Sequence, residues 1–201
     1  MGYFSVFSRV LKNFSLLNPH LSCQDISKLD FPALKHLGIK FLVFDKDNTL
    51  TKTYSPDYYS ISIESSLKFA INTFGSQNLG LLSNSLRPKL ENELFRSEIA
   101  IIPWEKRKKP LNFEEIVSFF HCEKPEEIAI IGDRLLTDVL LANLNGALSI
   151  LVQPLERTHE KIAIKFMRFL EEKLVLSRFR SQRREHSAYS REEIEKIVKK
   201  T

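Results

Sequence analysis

Cysteine is nearly absent from this chain. Cys23 and Cys122 are the two among 201 residues, at no paired or metal-binding spacing, which argues against a disulfide framework or a cysteine zinc site and fits free thiols in a reducing compartment. The five histidines do not cluster. No apolar run approaches the roughly 20 residues that a bilayer-spanning helix needs, so the chain is expected to be soluble or bound at a surface. Acid is missing from the first 24 residues, where Arg9 and Lys12 are the only charged side chains. There Phe4, Val6, Phe7, Val10, Leu11, Phe14, Leu16 and Leu17 recur on one helical face. This amphipathic, basic, serine-containing pattern favours a mitochondrial import segment over a peripheral membrane helix, which would look the same.

With 43% hydrophobic residues, the length suits one compact domain with modest extensions. The net charge of +5 is unevenly placed: between Lys165 and Arg184 there are seven Lys and Arg against two Glu. A local basic segment in an otherwise balanced chain points to an anionic surface such as phospholipid headgroups, and no nucleic acid partner is expected.

Five apolar runs read as strands, at 39–44, 79–82, 99–102, 128–131 and 148–152. Helical patterns lie between and beyond them at 63–74, 88–96, 112–121, 137–146 and 160–176. Strands of nearly continuous apolar character alternating with helices predict an α/β fold, a doubly wound parallel sheet covered on both faces. The boundaries follow: 1–38 as an N-terminal targeting or membrane-associating segment, 39–155 as the core, and 156–201 as a C-terminal helix and basic tail. Gly75 and Gly146 suit helix ends. Ser190 with Glu193 forms a capping box for a last short helix, within a final fifteen or so residues expected to be loosely held.

The chemistry collects at the strand ends. In an open parallel sheet the ligand crevice lies outside the carboxyl ends of the strands, and polar residues that directly follow apolar runs are delivered there. Asp45 and Asp47 follow the first strand, Ser83 and Asn84 the second, and Asp133 the fourth. Packed carboxylates repel unless a cation lies between them or one keeps a proton. Asp45 and Asp133 therefore read as hard oxygen ligands for Mg²⁺. Asp45 also reads as a nucleophile toward phosphorus, and Asp47 as the acid that protonates the leaving oxygen and then the base for water. Ser83 and Lys109 are placed to hold phosphoryl oxygens. Asp138 either holds metal-bound water or orients Lys109. Arg134 meets a second substrate phosphate or pairs with a surface acid, and Trp104 faces lipid or core. A calcium-type aspartate loop would leave the downstream elements as coincidence. A phosphate-receiver domain would require its aspartate on a middle strand.

The ordered set Asp45-Lys-Asp-Asn-Thr, Ser83-Asn84, Lys109-Pro110 and Gly132-Asp-Arg-Leu-Leu-Thr-Asp138 resembles the haloacid dehalogenase superfamily of phosphatases. The likeness covers about 39–152. Within that superfamily it is most similar to the mitochondrial phosphatidylglycerophosphate phosphatases of fungi and plants and their bacterial relatives, and its Asn18-Pro19-His20-Leu21 turn also resembles theirs. The resemblance implies a Rossmann-like core and Asp45 as nucleophile, with Asp47 as acid/base. It further implies Ser83, Asn84 and Lys109 on the substrate phosphate, and a Mg²⁺ set of Asp45, Asp47, Asp133 and Asp138, with Thr49 steadying the loop. The implied substrate is phosphatidylglycerophosphate in a membrane, and the implied place is the matrix side of the mitochondrial inner membrane, with peripheral contact to anionic lipid. Thirty-three residues separate Thr49 from Ser83 and 25 separate Ser83 from Lys109, which core elements use up. A capless site of that kind suits a phosphate on something large. Rivals are a phosphatase for nucleic acid 3′ ends or phosphoproteins, and a catalytically idle membrane-binding scaffold.

Overall fold

Apolar runs with no polar face can be satisfied only by burial on both sides, and such runs form the central strands of a six-stranded sheet. The computed structural model describes residues 2–53, 55–84, 98–103, 108–156 and 185–199. Its strands are β1 (Leu21–Cys23), β2 (Phe41–Phe44), β3 (Leu79–Leu81), β4 (Ala100–Ile101), β5 (Ile128–Gly132) and β6 (Leu148–Val152), in the spatial order β1-β6-β5-β2-β3-β4. Every pairing is parallel. From β2 the chain builds outward through β3 and β4, then returns to lay β5 and β6 on the other side of β2. The order therefore reverses between β2 and β5, which is where an open α/β sheet leaves its crevice.

Alternate residues go to opposite faces, as the two-residue period of a strand requires. Leu42, Phe44, Leu79, Leu81, Ala129 and Ile131 pack with α2 (Phe31–His36) and α3 (Ile61–Phe74), through Phe31, Leu34, Ile63, Leu67 and Phe74. Val43, Ile128 and Ile130 pack instead with α4 (Phe113–Phe120) and α5 (Leu140–Asn145), through Phe113, Ile116, Phe120 and Leu141. The doubly wound reading thus holds. Ser60 caps α3 by accepting the Ile63 N–H, and Gly146 ends α5 in the left-handed region at φ 82°. A π-helical turn, Leu135–Val139, leads into α5.

Three features differ from the sequence reading. β1 is a sixth strand, pairing Leu21, Ser22 and Cys23 with Ile150, Leu151 and Val152; at three residues it has no periodicity to read, and only its non-local partner defines it. Secondly, α1 (Tyr3–Lys12) packs onto the core through Val6 and Val10. The Asn18-Pro19-His20 turn anchors this end of the chain. Asn143 on α5 donates to the carbonyls of Leu16 and Asn18, while Ser149 N–H donates to His20 Nδ1 and its Oγ accepts the His20 N–H.

Thirdly, the chain's final described residues are held, not loose. Val198 bridges Leu29, Asp30 N–H donates to the Ile197 carbonyl at 2.6 Å, and Ile194 and Ile197 lie in the larger core. A few apolar groups suffice because they land in an existing core. The expected capping box at α6 (Arg191–Glu195) is present in both directions, Ser190 with Glu193. The expected helices at 88–96 and 160–176, the basic segment at 165–184 and Trp104 lie outside the described residues.

Candidate active site

Asp45 is placed by the sheet itself: its N–H donates to the Ile131 carbonyl, 2.9 Å, as the rung beyond the end of β2. Beyond it the chain turns sharply. The Lys46 carbonyl accepts from the N–H groups of Thr49, Leu50 and Thr51, and Asn48 takes a positive φ of 65°, which asparagine tolerates better than most residues. The Asn48 side chain accepts the Glu156 N–H, and buried Lys46 donates to the Ser55 carbonyl at 2.9 Å. The steadying hydroxyl expected at Thr49 is not used that way, since its Oγ1 has no hydrogen-bond partner; Thr49 holds the loop through its backbone, and Thr51 Oγ1 donates to the Lys52 carbonyl.

Lys109 reaches the same point from the far side of β3. Its ammonium, 3% exposed, donates to Asp45 Oδ1 and to Asp138 Oδ1, each at 2.6 Å. The Asn84 amide brackets the lysine backbone, accepting its N–H at 2.9 Å and donating to its carbonyl at 3.3 Å. The structure therefore shows Asn84, read from sequence as a phosphate ligand, in a positioning contact with Lys109. Ser83 is buried beside it at the end of β3. Beyond its bond to Lys109, Asp138 accepts the Arg134 N–H and the Thr137 hydroxyl on its other oxygen. This carboxylate sits so close to β5 that a Cβ at Gly132 would fall on its carboxyl carbon.

One oxygen each from Asp45, Asp133 and Asp138 lies within 4.8 Å of the others, all three residues buried. Asp47, which the sequence reading placed in the metal set, is not part of this cluster. The chain has already left the strand at Asp47, whose side chain is 22% exposed with Lys46 Nζ 3.4 Å away.

The acids are crowded. Three buried carboxylates lie together, with the Lys109 ammonium bonded to two of them, and carboxylates at that spacing repel unless a cation lies between them or one keeps a proton. Burial pushes the Asp45 carboxyl up to about 6; Lys109 pulls it down and Asp138 pushes it back up. For Lys109, burial works against the charge, but the Asp138 and Asp45 carboxylates prevail and hold its pKa above the ordinary lysine value. A buried set of three acids offering oxygen ligands alone fits a hard divalent cation. With a nucleophile-type carboxylate held by a lysine and a second acid two residues on, the arrangement suits transfer of a phosphoryl group.

An all-parallel sheet whose switch point carries this aspartate pair, with Ser, Lys and an acid pair arriving from the strands on either side, is the layout of the haloacid dehalogenase-type phosphatases. A family model described as mitochondrial PGP phosphatase matches residues 2–155. The chain is 34% identical over 178 residues to the phosphatidylglycerophosphate phosphatase 1, chloroplastic/mitochondrial, of Arabidopsis thaliana, covering 85% of this chain and 50% of that protein. It is 32% identical over 161 residues to the mitochondrial phosphatidylglycerophosphatase of Saccharomyces cerevisiae, covering 72% and 82%. To a probable phosphatase of Bacillus subtilis it is 30% identical over 168 residues, covering 83% and 92%. The chain belongs to the mitochondrial PGP phosphatase family. It spans about half the length of the Arabidopsis relative. No solved structure matches it. Among the described residues, no helix is long and apolar enough to cross a membrane.

Proposed function

We propose that this chain is a Mg²⁺-dependent phosphomonoesterase that converts phosphatidylglycerophosphate to phosphatidylglycerol and phosphate at the matrix face of the mitochondrial inner membrane. The observation that carries the reading is the Asp45–Lys109–Asp138 chain set within a cluster of three buried carboxylates. The relatives' names supply the substrate and the organelle.

An Asp45 carboxylate oxygen attacks phosphorus, the bond from phosphorus to the glycerol oxygen breaks, and Asp47 gives the leaving oxygen its proton. Water then attacks the aspartyl phosphate while Asp47 takes up a proton, which releases phosphate and restores the Asp45 carboxylate. Ser83 and Lys109 hold the phosphoryl oxygens, and Asn84 keeps Lys109 in register through its backbone. Asp45, Asp133 and Asp138 would hold Mg²⁺, which when bound offsets the excess negative charge of the carboxylates and the incoming phosphate.

The test is phosphate release with Mg²⁺ from phosphatidylglycerophosphate in mixed micelles, set against phosphatidic acid and a 3′-phosphorylated oligonucleotide. Preference for the first supports the reading. A clear preference for either alternative, or inertness toward all three, overturns the substrate.

A further inference from the structure

α1 has two apolar faces, and only one is used. Val6 and Val10 are 4% and 6% exposed, packed with Leu16, Leu17 and Leu140. The adjoining arc carries Tyr3, Phe4, Phe7 and Leu11, exposed by 59%, 87%, 61% and 54%. On a ten-residue surface helix that arc is ordinarily polar, so four large apolar side chains side by side make a patch that calls for an occupant. Beyond the patch the helix carries Arg9 and Lys12, and the first 24 residues hold no acid.

We propose that the outer face of α1 is a docking surface for an anionic lipid bilayer, with Tyr3, Phe4, Phe7 and Leu11 entering the boundary between headgroups and acyl chains and Arg9 and Lys12 lying against lipid phosphates. Charge selects this occupant over a second copy of the chain. Arg9 and Lys12, with no acid in the first 24 residues, give this segment a net positive charge that complements anionic headgroups and repels a like-charged copy of itself. A helix of ten residues is about 15 Å long, too short to span a bilayer but sufficient to lie in its interface.

The helix also stands beside the site. Its packing seam is rimmed by Leu111 and Leu136, the first two residues after Lys109 and the second two residues before Asp138. The loops that present the lysine and the acid thus share an apolar cluster with α1, so a docked α1 holds the site near the headgroup layer. The value of this placement rests on the lipid-phosphatase reading, whereas vesicle binding is measured without it.

The experiment is sedimentation of the full chain with vesicles of phosphatidylcholine alone and with added phosphatidylglycerol. The wild type should prefer the anionic vesicles. Phe4→Ser with Phe7→Ser should lower partitioning about tenfold or more, while Arg9→Glu with Lys12→Glu should remove the preference for anionic lipid. Both double variants should keep the wild-type thermal midpoint and the wild-type rate on p-nitrophenyl phosphate. Unchanged vesicle binding by the Phe4→Ser, Phe7→Ser variant overturns the proposal. So does unchanged binding combined with loss of a dimer in sedimentation velocity, which assigns the patch to a second copy. A wild type that binds vesicles but hydrolyses no phosphomonoester supports docking and sinks the phosphatase reading instead.

Discussion

Replacing Lys109 by Met keeps most of the side chain's length and removes the one ammonium that Asp45 and Asp138 share at 2.6 Å each. Breaking a buried ion pair on one side typically costs about 3–5 kcal/mol, because the partner charge stays buried and uncompensated. At about 2–4 °C per kcal/mol for a chain of this size, the metal-free variant should melt roughly 6–20 °C lower at pH 7.5. The cost should depend on pH with a definite sign. Asp45 already has its folded pKa raised from 3.8 to about 6, so in the metal-free protein the stability tied to its protonated form is full below about pH 4 and is lost as pH rises through about 6. Without Lys109 the folded pKa rises further, and at pH 5 Asp45 is protonated and no longer needs the ammonium. Thermal unfolding followed by circular dichroism in EDTA should therefore show a large deficit at pH 7.5 and a clearly smaller one at pH 5. Equal deficits at the two pH values would refute the assignment of the lysine as the counter-charge of this cluster.

Gly132→Ala should lower stability by about 1–3 kcal/mol, since the new methyl must displace the Asp138 carboxylate, and it should weaken Mg²⁺ binding measured by calorimetry; wild-type affinity would contradict the packing account. Asn84→Ala leaves the Lys109 N–H without its acceptor, which should cost about 1–3 kcal/mol and lower kcat more than it changes KM. A change confined to KM would point instead to a direct substrate contact. Asn48→Val, forced to hold a positive φ, should cost about 1–3 kcal/mol in chemical denaturation, with Asn48→Gly losing less. Equal losses would mean that the Asn48 side-chain bond to Glu156, which both variants lack, fixes the loop rather than its backbone.

The sequence disclosed whatever depends on local pattern. The five longer apolar runs named their strands because burial on both faces leaves no polar alternation, and the residues just past those runs named the site, since strand ends deliver them to one edge. What stayed hidden depends on distant partners. β1 exists only through its pairing with β6, and the last residues are held because Ile194 and Ile197 meet a core built by other segments. In the site, the contact of Asn84 with the Lys109 backbone and the separation of Asp47 from the other three acids follow from how the chain turns after each strand. Spacing along the chain does not encode that turn. The positive φ of Asn48 had a faint local signal, as asparagine is among the few residues suited to it.

In the proposed reaction Asp45 takes the phosphoryl group of a lipid phosphomonoester. The measurement that tests it most directly is phosphate release from phosphatidylglycerophosphate in mixed micelles with Mg²⁺ by the wild type and by Asp45→Asn, with both proteins first shown by circular dichroism to be folded. The account predicts steady turnover by the wild type and none above background by the variant. Turnover by a folded Asp45→Asn protein would contradict it.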